Sequence, residues 1–235
     1  MHVRAFIEEM EHLASPDLAE DCDAGKIGLV VEGRPEISRV CCALDATPYV
    51  IQQAVGVSAD MLVVHHTPMW TPLTTLTGRI AGLMRALLSA DMNLYVMHTN
   101  FDRAREGVND ALAELLSLTD ITPLTLGCIG TCPLSLTEIS RRLGGNIRLW
   151  GDTKEIRRLA IVAGSGFDTS LIEEAKARCA DAFLSAEMKH SVARTAPLPC
   201  IEATHYALEA PAMQRLAGRK GWQYIKDPPV LQTIP

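Results

Sequence analysis

The chain has no run of Lys or Arg, no CxxC pair, no G-x-x-x-x-G-K-[ST], and no apolar stretch near the roughly 18 residues a membrane span needs. Each absence excludes something. With 28 acidic against 22 basic residues and a net charge of −6, the balance argues against a nucleic-acid partner, because sequence-independent binding needs a positive surface to displace counterions. The missing Walker sequence excludes a P-loop. Cys128 and Cys132 are spaced CxxxC with no second pair to complete a thiolate zinc site. The seven cysteines, with Cys41 and Cys42 adjacent in an apolar run, read as buried core thiols rather than a disulfide framework. Low-complexity tracts and a clear short-period repeat are absent too.

The opening residues place Val3, Phe6, Ile7, Met10, Leu13 and Ala14 on one helical face. Glu8, Glu9, Glu11 and His12 interrupt the apolar run, so no secretory signal is read there. No membrane is expected as a partner, and the cytoplasm is the expected location.

What is present is ordinary globular material: 235 residues, 48% hydrophobic and 21% charged, enough for one large domain or two small ones. Short apolar runs alternate with helical periods. The pattern predicts strands over Ile27–Val31, Val40–Leu44, Met61–Val64 and Asn93–Met97. It predicts helices over Tyr49–Val57, Arg79–Ala90 and Val108–Leu118. Leu118–Pro123 reads as a boundary, since Thr119 and Asp120 favour turns and Pro123 disfavours helix before it. A second alternation follows, with an apolar segment Leu124–Ile129, helix Leu136–Leu143, strands Ile147–Leu149 and Leu159–Ala163, helix Ser170–Arg178 and strand Ala182–Leu184. Strand Cys200–Ala203, helix Ala207–Ala217 with Pro211 near its start, and a strand around Gln223–Lys226 complete it. The expectation is an α/β layered fold in two parts. Residues 1–122 with 200–235 form the larger part, and 123–199 the smaller.

Three stretches carry chemistry. In Val63-Val64-His65-His66-Thr67-Pro68, an apolar strand ends in two histidines and a proline turn. After Asn93–Met97 come His98-Thr99-Asn100-Phe101-Asp102, where Asp102 is the natural oxygen ligand and His98 a ligand or an orienting residue. After Cys200–Ala203 comes Thr204-His205-Tyr206-Ala207-Leu208-Glu209, with His205 and Glu209 four apart, on one face of a helix. All three fall at strand carboxyl ends, where open α/β sheets gather their sites. Imidazole and carboxylate suit zinc, iron, manganese, cobalt or nickel, without choosing among them. Five such ligands exceed the need of one catalytic metal and suffice for two, bridged by a carboxylate and a water. Each stretch also has a plainer reading: a surface or core His pair, a capped turn at Asn100 or Asp102, and an exposed helical His–Glu pair.

The runs HHTPMW, HTNFDRAREGVNDAL and THYALE, with LDATPYVIQQA before them, DAGKIGL at Asp23–Leu29, and Ser185-Ala186-Glu187-Met188-Lys189-His190, resemble the GTP cyclohydrolase 1 type 2 homologues. These are also known as Ngg-one-interacting factor three-like, dinuclear-metal-centre proteins. The resemblance runs from the first helix to the last strand. It implies ligands to two divalent metal ions at His65, His66, Asp102, His205 and Glu209. It also implies two interlinked α/β domains of similar topology, with the site in the cleft, and a toroidal homohexamer whose sites face an internal cavity. Glu187 and His190 match a family segment near the site, although a helix-start cap accounts equally for Glu187. Thr67 stands where the family has proline, Ser185-Ala186-Glu187 replaces Thr-Gly-Glu, and Ala203-Thr204 replaces Ala-Gly. None of these removes a proposed ligand.

Gly164-Ser165-Gly166 lacks the third glycine of a dinucleotide fingerprint and reads as a tight strand-to-helix turn. The leading expectation is a metal-dependent hydrolase acting through a metal-bridging water on a small molecule, with His98 or Glu187 as proton shuttle. The resemblance implies a nucleotide, by GTP cyclohydrolase-like ring opening, and phosphoester or amide hydrolysis fits the same residues. The competing one is a non-enzymatic metal-handling or regulatory assembly.

Overall fold

A computed structural model describes residues 1–153 and 155–232. In chain order the elements are α1 (Val3–Leu13), the 3₁₀ turns Pro16–Leu18 and Asp21–Asp23, β1 (Gly28–Val31), β2 (Val40–Asp45), α2 (Pro48–Gly56), β3 (Met61–His66), α3 (Gly78–Ser89), β4 (Asn93–Val96) and α4 (Thr99–Arg103). There follow α5 (Val108–Leu115), β5 (Thr119–Pro123), β6 (Cys128–Thr131), α6 (Leu136–Arg142), β7 (Arg148–Trp150), β8 (Arg158–Ile161), α7 (Thr169–Ala177), β9 (Ala182–Ser185), α8 (His190–Thr195), β10 (Cys200–Glu202), α9 (His205–Lys220) and β11 (Gln223–Tyr224). The fold is mixed α/β with two sheets, and the chain forms two compact units: Met1–Arg105 with Met213–Pro228, and Glu106–Ala212 with Pro229–Pro235.

In the first unit the sheet order is β1-β4-β3-β2-β11, parallel from β4 to β11, with β1 antiparallel at one edge. Interior parallel strands are covered on both faces and so read as continuous apolar runs; β3, Met-Leu-Val-Val-His-His, is buried through His65. Alternate side chains divide between the faces. Cys41, Ala43, Leu62, Val64, Leu94 and Val96 pack with Val50, Ile51 and Ala54 of α2 and Leu83, Met84 and Leu87 of α3. On the opposite face Tyr95 meets Phe6 of α1 edge-on, with ring centroids 6.0 Å apart, and Phe6 stacks on Trp222 at 5.7 Å. The amino ends of the strands are tied by Asp60, whose carboxylate accepts from Arg34, the Ser38 hydroxyl and the amides of Ser38 and Arg39.

In the second unit the order is β5-β6-β8-β9-β10-β7, with a parallel β8-β9-β10 centre and antiparallel pairs on either side. Ile129, Ala160, Val162, Phe183 and Cys200 pack with Phe167, Ile172 and Ala175 around α7.

The division follows Arg105 and Ala212, not the expected limits at 122/123 and 199/200. Its physical reason is pairing. β5, expected as a boundary, bonds to β6; α5 packs on β6 and β8, and its Asn109 accepts the Ala163 amide at 2.9 Å; β10 runs parallel to β9. Helix α9 begins at His205, two residues before the expected start, so Pro211 lies inside it and not near its beginning. There it removes the bond its N–H would have given to the Ala207 carbonyl. Among the described residues no helix is long and apolar enough to cross a membrane.

Candidate metal centre

The first unit gathers donors where β2, β3 and β4 end side by side. His65 and His66 close β3, Asp45 closes β2 in register with His66, and Met97-His98 leads from β4 into α4. His65 is fully buried, and its Nδ1 lies 2.7 Å from the Met97 carbonyl. A carbonyl only accepts, so the proton sits on Nδ1 and Nε2 is left as the lone-pair nitrogen. His66 Nδ1 meets Asp45 Oδ1 at 2.8 Å, and His98 Nδ1 meets the two Asp23 oxygens at 2.8 and 3.0 Å. A carboxylate behind one ring nitrogen fixes the tautomer and raises the basicity of the other. The rings converge: centroids of His65 lie 4.8 Å from His66 and 5.0 Å from His98, and one nitrogen from each of the three lies within 4.8 Å of the others. Asp102 Oδ1 on α4 is 3.5 Å from His65 Nε2.

Asp23 is itself buried. Burial would raise its pKa, but the Thr99 hydroxyl, the His98 ring and the Thr99 amide all donate to it and hold it below the ordinary carboxylate value. It therefore stays anionic behind His98.

The second unit supplies the third stretch. His205 opens α9 straight after β10, and Glu209 follows one turn later, with His205 Nε2 2.9 Å from Glu209 Oε1. His205 Nδ1 contacts Glu187 Oε1 at 2.8 Å, and Glu187 holds a left-handed backbone, φ 63°. Gly164, in the Gly164-Ser165-Gly166 turn, packs against this pair. Gly164 has φ +69°, and a Cβ built there overlaps Glu209 Oε1 and comes within 3.4 Å of His205 Nε2. Ser185 Oγ accepts the Gly166 amide at 2.8 Å and donates to the Gly164 carbonyl at 2.9 Å, so the serine in this family segment shapes the turn. The segment is a tight turn between β8 and α7, as the sequence predicts; Gly164 packs against the His–Glu pair, and Gly166 against Val162 and Ser185.

These donors fit divalent cations. In both units imidazole is presented through Nε2 with Nδ1 already engaged, the carboxylates stand beside it, and among the described residues no cysteine joins these groups. That chemistry suits open nitrogen–oxygen sites rather than closed structural zinc. At Gly164 the backbone passes so close to Glu209 and His205 that a side chain there would overlap the donors.

At the ends of the sheets, then, stand three histidines able to hold a metal ion in the first unit and a His–Glu pair in the second. The Duf34/NIF3 (NGG1p interacting factor 3) family model matches residues 1–221. The chain is 34% identical to the GTP cyclohydrolase 1 type 2 homolog of Streptomyces coelicolor, over 92% of this chain and 87% of that protein. It is equally identical to the Pyrococcus abyssi protein of the same name, over 90% and 89%. Among solved structures, reduced HcgD from Methanocaldococcus jannaschii superposes with a TM-score of 0.81 at 30% identity, covering 95% of this chain and 96% of that one. TTHA1606 from Thermus thermophilus superposes at 0.79 and 26% identity, covering 98% and 100%. The chain belongs to the Duf34/NIF3 family.

Sequence reasoning puts His65, His66, His98, Asp102, His205 and Glu209 in the larger part and Glu187 in the smaller; the structure groups His65, His66, His98 and Asp102 in the first unit and sets His205 and Glu209 beside Glu187 in the second. That reasoning missed the orienting groups Asp23 and Asp45 and the Met97 carbonyl. Asp23 and Asp45 sit in DAGKIGL and LDATPYVIQQA, quoted as family segments; no spacing rule links them to histidines 75 and 21 residues away.

Proposed function

We propose that this protein is a metal-dependent hydrolase that holds two divalent cations with His65, His66, Asp102, His205 and Glu209 and acts on a nucleotide or another phosphoester. One observation carries the metal assignment: His65, His66 and His205 each have Nδ1 on a carbonyl or carboxylate acceptor, which leaves Nε2 as the ligating nitrogen. When bound, the cations supply Lewis acidity and a water that loses its proton near neutral pH. The chain's own groups do the rest. Asp45 and Glu187 orient His66 and His205. His98, held by anionic Asp23, takes up and returns a proton at Nε2. The buried surroundings of His65 and Glu209 strengthen each electrostatic contact. The relatives' shared name supports hydrolysis of a nucleotide, and the homohexamer implied by the family resemblance belongs to the same proposal.

Elemental analysis of natively purified protein is expected to find bound metal, with His65→Ala and Glu209→Ala each lowering the content while the thermal melt stays cooperative. His12→Ala, on α1, serves as the control and leaves the content alone. A phosphoester and nucleotide screen on the same sample identifies the reaction. Unchanged metal in both ligand variants would overturn the assignment.

A further inference from the structure

We infer that Trp70 and Lys26 form the recognition wall beside the His66–His98 edge of the histidine cluster, and that the substrate class is a planar ring carrying an anionic group. The inference rests on the reading of that cluster as the reacting end of the site. Trp70 lies in the irregular segment between β3 and α3, four residues after His66, and 44% of its surface is exposed. A large indole left in solvent forgoes burial energy, so its position calls for an explanation. It is not turned to bulk water at random. Its ring centroid lies 5.0 Å from that of His98 at an interplanar angle of 74°, and 6.3 Å from His66. The indole therefore flanks the rings whose Nε2 atoms face the proposed chemistry, and it offers an aromatic surface to whatever reaches them. Aromatic side chains take planar rings by stacking, whatever the ring's hydrogen-bonding edge.

The charge comes from Lys26. Its Nζ donates to the Cys22 carbonyl at 2.6 Å, which uses one of its three N–H donors, and sits 6.0 Å from the Trp70 centroid. That is the outer limit of a cation–π contact, close enough to hold the ammonium beside the indole and loose enough for it to turn to an anion. Carboxylates of the same unit are already employed by the fold: Asp23 on His98 and Thr99, Asp45 on His66, and Glu20 on Arg103. Ring platform, cation and histidine edge all belong to the first unit, and together they match a nucleoside phosphate: the base on Trp70, the phosphate on Lys26.

The test is calorimetric titration of the full chain with GMP and with ribose 5-phosphate, as purified and after chelator stripping, with metal content and a thermal melt measured on every sample. GMP is expected to bind more tightly than ribose 5-phosphate in both metal states. Trp70→Ala weakens GMP about ten-fold and leaves ribose 5-phosphate unchanged, while Trp70→Phe keeps most of the preference. Lys26→Gln weakens both ligands about ten-fold and reduces the salt dependence. Metal content stays at the wild-type value in all three variants, since neither side chain is among the proposed donors. A wild-type chain that does not prefer GMP, or a folded Trp70→Ala variant that binds it like wild type, overturns the inference. Failure of the underlying metal assignment shows separately, as metal content that does not respond to His65→Ala.

Discussion

At Gly164 the backbone stands at φ +69° and its missing side chain leaves room for Glu209 Oε1. Gly164→Ala therefore adds left-handed strain of about 1–2 kcal/mol and displaces a proposed ligand. The expected outcome is a lower melting temperature together with loss of bound metal. Gly218, exposed on α9 with nothing within 4 Å of a built Cβ, is its counterpart. Gly218→Ala should raise stability by about 0.5–1 kcal/mol through helix propensity and leave metal untouched. A chemical-denaturation series with parallel metal analysis checks both, and equal behaviour of the two variants would remove the steric argument. The same scale shows why the site was half legible in the sequence. Ligand-type residues at strand ends announce themselves by type and position. Their partners do not, because the acceptor behind a ring is chosen by the fold: a carbonyl for His65, but carboxylates from distant segments for His66, His98 and His205.

Among elements, strong apolar periods were read correctly and weakly patterned ones were missed. β2, β3, β4, β8, β9 and β10 are buried runs with clear sequence signals. β5 is exposed throughout, with Asp120 at φ 49° and a closing Pro123, so its residues carry the marks of a turn although β6 pairs with it. The apolar segment Leu124–Ile129 turns about Gly127, φ +75°, and its last two residues enter β6. α4 and α8, at five and six residues, are too short for a helical period to show. Sheet register, by contrast, depends on a side chain no periodicity reveals. Asn93, fully buried at the start of β4, donates to the carbonyls of Arg34 and Asp60 and accepts the Gly33 amide. Asn93→Ala leaves those buried groups without their partner and should cost about 3 kcal/mol. The measurement is a denaturation midpoint. The metal content of the folded fraction should stay at the wild-type value, and a loss of metal without a loss of stability would place Asn93 in the site instead.

For the molecule as a whole, the charges it buries and the thiols it keeps neutral set a pH window. Asp60 is pushed up by burial but brought below its ordinary value by the amides of Arg39 and Ser38, the Ser38 hydroxyl and Arg34, and Asp23 is lowered as well. For a lowered carboxylate the unfolded chain binds more protons in the interval between the two pKa values, so its stabilising effect is present above about 3.9 and is lost as pH falls through the folded value. The alkaline limb has the opposite origin. Burial raises the thiols of Cys41, Cys42 and Cys132, carries Cys200 to about 11 and Cys128 to about 12, and also raises the Tyr95 hydroxyl. An unfolded thiol ionises near 8.5, so above that pH the unfolded state has released protons that the folded state retains. Stability is full below that pH and falls as pH rises toward the folded values, by up to about 1.4 kcal/mol per pH unit for each thiol. Five buried cysteines make that limb steep. Cys200→Ala and Cys128→Ala are expected to cost about 1 kcal/mol each at neutral pH for the lost packing and to flatten the decline between about pH 9 and pH 10. Urea midpoints across that range, in reducing buffer, decide it. Variants whose decline stays parallel to wild type would show that the buried thiols do not set the alkaline limit.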